Sequence, residues 1–243
     1  MFEPLERRKK AYEEVADKIR DRILQKEVKL NDRLPSEREM AEQFVVSRVV
    51  VREAIRSLEL TGFVIVKKGV KGGAFVAQEY DRPLISSIRH MVSAGEVQLD
   101  DLFAVRLLVE PFAAEHVARN GSDEDVSKLG EILELAEDAS NKGELVRPLN
   151  FRFHRQIVQL SGNAILSAVG ETTLTLLTDF LQDLPSSEVS PQHLSFHSDI
   201  LAAIREKDEK TSGELIRADI DMLWQSVRSL IKSDQLLATA SRR

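Results

Sequence analysis

Arg48, Arg52 and Arg56 recur at i, i+4 and i+8, the spacing that stacks side chains on one face of an α-helix. Each guanidinium is a planar fork of donors, charged at any physiological pH, that fits the O6 and N7 acceptors of guanine or the oxygens of a phosphate. Three forks in a row can therefore line a nucleic-acid groove. The same row also suits an ordinary solvated helix face, the commoner use of charge on helices. Flanking sequence decides between the two. Shortly after the row, Lys67-Lys68-Gly69-Val70-Lys71-Gly72-Gly73 combines positive charge with glycines, which let a backbone approach a ligand closely.

The elements needed to present those groups are legible around them. Ser36 and Glu39 have the spacing of a capping box, so a helix starts there and runs to about Phe44. Ser47 caps a second helix, in which Val51, Ala54, Ile55 and Leu58 form the core stripe opposite the arginines, and Gly62 is placed to end it. Phe63 to Lys68, the glycine-rich turn and Ala74 to Ala77 read as strand, turn, strand. Upstream, Tyr12, Val15, Ala16, Ile19 and Ile23 give a supporting helix over about Tyr12 to Lys26. Helix, helix, helix and basic hairpin is the order of a winged helix-turn-helix.

Charge divides the chain in the same place. Residues 1–78 carry 17 Lys+Arg against 13 Asp+Glu, net +4, and the remainder 17 against 27, net −10. A basic module joined to an acidic body suits a DNA-binding domain with a separate sensing or dimerising part. The 243 residues, 42% of them hydrophobic, imply more than one domain. With no cysteine, a disulfide framework and thiolate metal sites are excluded. The N-terminal Met1 to Arg8 lacks the apolar core of a signal peptide, and no run is expected to reach the length of a membrane span. The expectation is a cytoplasmic protein with no membrane partner.

From about Asp81 strand patterns vanish, and amphipathic helices are broken at Gly95, Gly121, Gly143, Gly162 and Pro185. Helices are expected over 99–119, 123–141, 145–160, 164–184, 192–206 and 209–233. The first of these has an inward stripe of Leu102, Val105, Leu108, Val109 and Phe112. The predicted fold class is mainly α: an N-terminal winged helix-turn-helix of three helices and a two-stranded wing, then an all-helical bundle of six or seven helices. The domain reading is 1–78 for DNA binding, 79–98 for a linker and first bundle helix, 99–233 for effector binding and dimerisation, and 234–243 for a disordered tail.

The run Leu34-Pro35-Ser36-Glu37-Arg38 with Ser47-Arg48-Val49-Val50-Val51-Arg52-Glu53-Ala54 resembles the GntR family of bacterial transcription regulators over roughly Tyr12 to Ala77. The resemblance implies that Arg38 reaches the major groove, that Arg48 and Arg52 meet base edges or phosphates, that Ser47 touches the DNA backbone, and that Lys68 and Gly69 carry the wing tip to the minor groove. Arg56 extends the row. Val49-Val50 stands where many relatives have Thr-Pro, so a hydroxyl contact is lost and a methyl-to-thymine contact from Val49 becomes available. Leu30-Asn31 replaces the common Pro-Gly, and Asn is the non-glycine residue best suited to positive φ.

The second half resembles the FCD effector domain of the FadR subfamily. The carrying residues are Val105-Arg106-Leu107-Leu108-Val109-Glu110-Pro111, Asn150-Phe151-Arg152-Phe153-His154, His197 before Ile200-Leu201-Ala202-Ala203-Ile204, and the stretch Lys207 to Ile220. Many such domains hold a divalent metal through one Asp and three His, and the matching positions are Asn150, His154, His197 and Asp219. An amide replaces the first carboxylate and a carboxylate replaces the last imidazole, so the anionic ligand count is unchanged. This nitrogen and oxygen donor set suits Zn²⁺, Ni²⁺ or Mn²⁺. The plainer alternative is a polar pocket with no ion. His193 competes, being four residues before His197, whereas His90 and His116 read as surface or core histidines. Arg106 matches an arginine that faces this pocket in relatives and would grip a carboxylate effector; its alternative fate is a pair with Glu110, four residues on.

Together these imply a homodimeric repressor on a double-stranded palindromic operator, released when a small organic acid binds beside the metal. Two other functions stay open from sequence. A metal-dependent hydrolase would use the same ligand types but lacks an evident general base or compact catalytic motif. A ligand-independent architectural DNA-binding protein would have a filled bundle interior.

Overall fold

The computed structural model describes residues 10–69, 72–78, 80–182 and 191–240, the side chains of 191–193 and 232–240 excepted. The chain divides into two compact units, Met1–Ser86 and Ser87–Arg243.

The first unit contains α1 (Ala11–Leu24), α2 (Glu37–Phe44), α3 (Arg48–Leu60), β1 (Val64–Lys67) and β2 (Gly73–Val76), the order expected from sequence. Val15, Ala16, Ile19 and Ile23 of α1 bury against Met40 and Ala41 of α2, Val51, Ala54, Ile55 and Leu58 of α3, and Val64 and Val76 of the hairpin. The capping box forms: Ser36 Oγ accepts from the Glu39 amide at 3.3 Å, and Glu39 accepts from the Ser36 amide at 2.7 Å. Ser47 Oγ accepts from the Val50 amide at 3.3 Å and starts α3. Gly62, at φ 76°, ends that helix, its amide donating to Glu59 O and that of Phe63 to Leu58 O, the paired bonds of a Schellman motif. Asn31 adopts φ 69°, as its residue type suggested.

β1 and β2 pair antiparallel from Val64 opposite Val76 to Lys67 opposite Gly73; residues 70 and 71 of the turn lie outside the described residues. Arg33 braces this wing, bridging to Phe75 and donating from Nη2 to Gly72 O at 2.6 Å. Gly73 has φ 140°, a backbone conformation that L side chains rarely adopt, and a Cβ there would lie 2.9 Å from Arg33 Nε, which would have to shift.

The helices that follow are α4 (Arg82–Ser93), α5 (Leu99–Asn120), α6 (Asp123–Asn141), α7 (Arg147–Leu160), α8 (Ala164–Leu181), α9 (Pro191–Arg205) and α10 (Glu209–Ala240). α4 straddles the boundary between the units and has no buried residue. α5 packs against α7, α8, α9 and α10 and is the axis of the second unit. It runs through Pro111, whose missing N–H leaves the Leu107 carbonyl without its helical donor. Arg217 of α10 supplies one instead, from Nη1 at 3.1 Å.

Three expectations are corrected. Leu108 and Phe112 do not face inward; they are 74% and 53% exposed. The buried face of α5 keeps the expected Leu102 and Val109 and adds Phe103, Arg106, Glu110, Ala113, Ala114 and Val117. A buried ion pair occupies the inward positions, so counting apolar residues alone rotates the face. Second, α10 continues to Ala240 rather than ending at 233; no Gly or Pro follows Gly213 to stop it. Residues 241–243 lie outside the described residues. Third, α8 is long and apolar enough to cross a membrane by length and composition, although no such run was expected. It packs against α5 and α7, buries Leu174, Leu176, Leu177 and Leu181, and returns the hydroxyls of Thr172, Thr173 and Thr178 to its own carbonyls. Pro185 and the expected end of this helix at Leu184 fall among residues 183–190, which are not described.

Candidate functional site: an arginine face and a buried histidine cavity

Arg38 is exposed on the first turn of α2, and Arg48, Val49, Arg52 and Arg56 are exposed along α3 behind its exposed cap Ser47. Lys68 and Gly69 are exposed at the wing, with Gly69 at φ 103° and no atom of the described residues beyond its chain neighbours within 4 Å of where a Cβ would stand. The arginines are not equivalent. Arg52 lays its fork on Glu37, Nε to Oε1 at 3.0 Å and Nη2 to Oε2 at 2.7 Å. Arg48 Nη2 is 3.9 Å from the same Glu37 oxygen. Arg56 meets Glu53 of its own helix at 3.3 Å. The hydrogen bond from Arg52 holds the Glu37 carboxyl below the usual carboxylate range, against the opposing effect of partial burial. Glu37 and the wing brace Arg33 were not singled out from sequence. Nothing local distinguishes Glu37 from a first-turn helix acid, because its partner lies 15 residues away.

In the second unit α7, α9 and α10 bring three donor atoms together. His154 Nε2 lies 3.0 Å from Asp219 Oδ2 and 3.2 Å from His197 Nε2, which is itself 3.6 Å from Asp219 Oδ2. Donors about 2.0–2.1 Å from one tetrahedral ion lie about 3.3 Å apart, so this triangle has the size of one face of a metal's coordination shell. All three residues are buried. Asn150, one turn before His154, lines the same cavity, and its Oδ1 is buried without a hydrogen-bond partner among the described residues. The cavity itself is small, about 20 Å³, and Arg106, Arg147, Phe151 and Leu223 complete its wall. The four sequence-nominated ligands and Arg106 therefore share one cavity. The side chain of His193 lies outside the description; His90 is exposed and His116 partly so.

Glu110 on α5 organises the far side of this cluster. It receives Arg106 Nε at 2.5 Å and Nη2 at 3.1 Å, and its Oε2 lies 2.7 Å from His154 Nδ1. Burial raises the Glu110 pKa, but the charges of Arg106 and His154 outweigh it and bring it to about 2. Burial likewise opposes protonation of His154, and Glu110 with Asp219 outweighs it in turn, leaving that pKa raised. Arg106 is 1% exposed, and its guanidinium lies 5.8 and 5.7 Å from the centroids of Phe103 and Phe151. Its Nη1 has no hydrogen-bond partner among the described residues. Thus the pairing with Glu110 is made, and one guanidinium nitrogen remains for the cavity. Glu110 and Arg147 were not nominated from sequence as site residues: a buried acid and a buried arginine look like surface charges in a helical pattern.

Residues 101–222 match the FCD domain, and residues 11–76 match the description "Bacterial regulatory proteins, gntR family". The chain belongs to the gntR family of bacterial regulators and carries an FCD domain. Among curated relatives of this gntR-family chain, the HTH-type transcriptional repressor NanR of Salmonella schwarzengrund is 27% identical over 237 residues, covering 94% of this chain and 88% of NanR. Among solved structures, Streptococcus agalactiae GntR is similar with a TM-score of 0.62 and 28% identity, over 87% of this chain and 98% of that one. A GntR-family transcriptional regulator from Pseudomonas syringae pv. tomato shares the fold at a TM-score of 0.50 and 23% identity, over 93% and 88% of the two chains.

Proposed function

We propose that this gntR-family protein is a ligand-responsive repressor, a cytoplasmic homodimer whose winged units hold a palindromic operator until a small organic acid binds in the FCD cavity beside a divalent metal. Membership of the family supports DNA binding, and NanR is itself described as a repressor. The observation that carries the ligand response is the cavity, where the His154, His197 and Asp219 donors converge beside the unpartnered Asn150 Oδ1. Those four residues would hold Zn²⁺, Ni²⁺ or Mn²⁺. The bound ion supplies a Lewis-acid centre that accepts an anionic oxygen. Arg106 would meet the carboxylate through Nη1, its other nitrogens being engaged by Glu110.

The exposed Leu108 and Phe112, four residues apart on α5, give an apolar stripe that a second copy would cover. A ligand favouring one arrangement of the paired subunits then shifts the spacing of the two α3 helices on DNA. The architectural reading required a filled interior, and a space of about 20 Å³ beside His154 and His197, room for about one water, favours neither reading. The hydrolase reading gains nothing, since the relatives found are regulators.

The test is a thermal-shift screen of carboxylic acids with and without Zn²⁺, Ni²⁺ and Mn²⁺, followed by release of the bound duplex. A metal-dependent stabilisation by one acid, with the same acid releasing DNA, is expected. No response to any metal, no effect of a chelator, and no acid that releases DNA would refute it.

A further inference from the structure

We propose that Glu37 is a positioning residue of the DNA-reading face, which fixes how Arg52 meets a base and so sets sequence discrimination. The inference rests on the reading that Arg52 contacts DNA. A guanidinium group has two edges that can grip a pair of acceptors: the side edge, Nε with Nη2, and the end edge, Nη1 with Nη2. Glu37 occupies the side edge through both of its oxygens, at 3.0 and 2.7 Å. The end edge remains, and it matches the O6 and N7 acceptors of guanine. A side chain so held has already lost the torsional freedom that it would otherwise lose on binding.

The carboxylate has a countervailing effect. It places a negative charge on a surface that approaches phosphates, and it shares one oxygen with Arg48 at 3.9 Å, so the cluster of Glu37, Arg48 and Arg52 carries net +1 rather than +2. Sequence-independent attraction to DNA scales with the number of phosphates neutralised. A residue that orients one fork while weakening general attraction favours discrimination over affinity. A purely structural tie between α2 and α3 is the competing role. The Arg52 and Glu37 side chains are 53% and 33% exposed, where an ion pair adds little to stability, and the two helices already share the buried Met40, Ala41, Val51 and Ile55.

The experiment uses the full chain. The parent, Glu37→Gln, Arg52→Ala and the double variant are each taken through selection from a random duplex library, then titrated against the parent's selected duplex and a scrambled one at two salt concentrations. Glu37→Gln is expected to bind scrambled DNA as tightly as the parent or tighter, with a salt dependence steeper by about one ion. Its preference for the selected duplex should fall about tenfold. The loss should fall at the one position per half-site that Arg52→Ala also relaxes, and the double variant should add nothing to Arg52→Ala. Relaxation by Arg52→Ala with none by Glu37→Gln overturns the role of Glu37 alone. A lowered melting temperature with unchanged base preference in Glu37→Gln would assign it the structural tie instead. No relaxed position in Arg52→Ala overturns the reading of the face itself, and this proposal with it.

Discussion

Replacing Arg106 by Ala should destabilise the FCD unit far more than the loss of one side chain suggests. Arg106 and Glu110 are each 1% exposed, and the guanidinium fork is the leading cation that compensates the Glu110 carboxylate, with His154 beside it. Removing one partner of a buried pair strands the other charge, at a cost of about 3–5 kcal/mol. Because a domain is stable by only about 5–15 kcal/mol, that is a large share of the total. At about 2–4 °C per kcal/mol for a unit of this size, the transition should fall by about 6–20 °C. The assay is fluorescence of Trp224, the only tryptophan, which stacks on Phe103 at 4.4 Å and so reports the FCD unit. Glu110→Met alone should also destabilise, by leaving the arginine buried and unpaired. Arg106→Met with Glu110→Met should recover most of the loss, since two apolar side chains replace two charges. A cost below about 1 kcal/mol for Arg106→Ala, the value of an exposed pair, or a double variant equal to the sum of the singles, would refute the buried pairing. Arg106→Lys is therefore the better probe of effector response, because it keeps a cation near Glu110 while removing Nη1.

Other outcomes follow from individual residues. Val45, 87% exposed, is held at φ 54° in the turn between α2 and α3, a conformation that costs an L-residue about 1–2 kcal/mol. Val45→Asn should stabilise the winged unit by about 1 kcal/mol, measured as slower amide exchange in α2 and α3; unchanged or faster exchange would count against strain there. Ser36→Ala removes a cap and should destabilise the same unit by about 1 kcal/mol, read from the denaturation midpoint, with Ser36→Gly losing less. Leu108→Glu with Phe112→Glu should shift the chain toward monomer in sedimentation while leaving the Trp224 transition in place. A dimer of undiminished affinity would mean that the subunits meet elsewhere.

The winged unit was legible because its determinants are local. Ser36 with Glu39, Ser47 and Gly62 set helix ends through contacts within a few residues, and Val51, Ala54, Ile55 and Leu58 mark an inward face at the period of the helix. Resemblance to relatives, rather than periodicity, nominated Asn150, His154, His197 and Asp219, because residues on different helices share no sequence period. It also nominated Arg106 without revealing how much of its fork is already engaged. The inward face of α5 was misjudged for a related reason. Leu108 and Phe112 look like core to a rule that counts apolar residues, whereas the bundle buries Arg106 and Glu110.

Local order and the separation of charge into a basic winged module and an acidic helical body were determined by the sequence itself, since capping, helical period and net charge act over short spans of chain. Which atoms meet was decided only in three dimensions. The coupling of Glu37 to Arg52, and the meeting of His154, His197, Asp219 and Glu110 from four helices, depend on how elements pack. A charged group is stable in such a place only when the partner brought by another turn or another helix compensates its lost hydration.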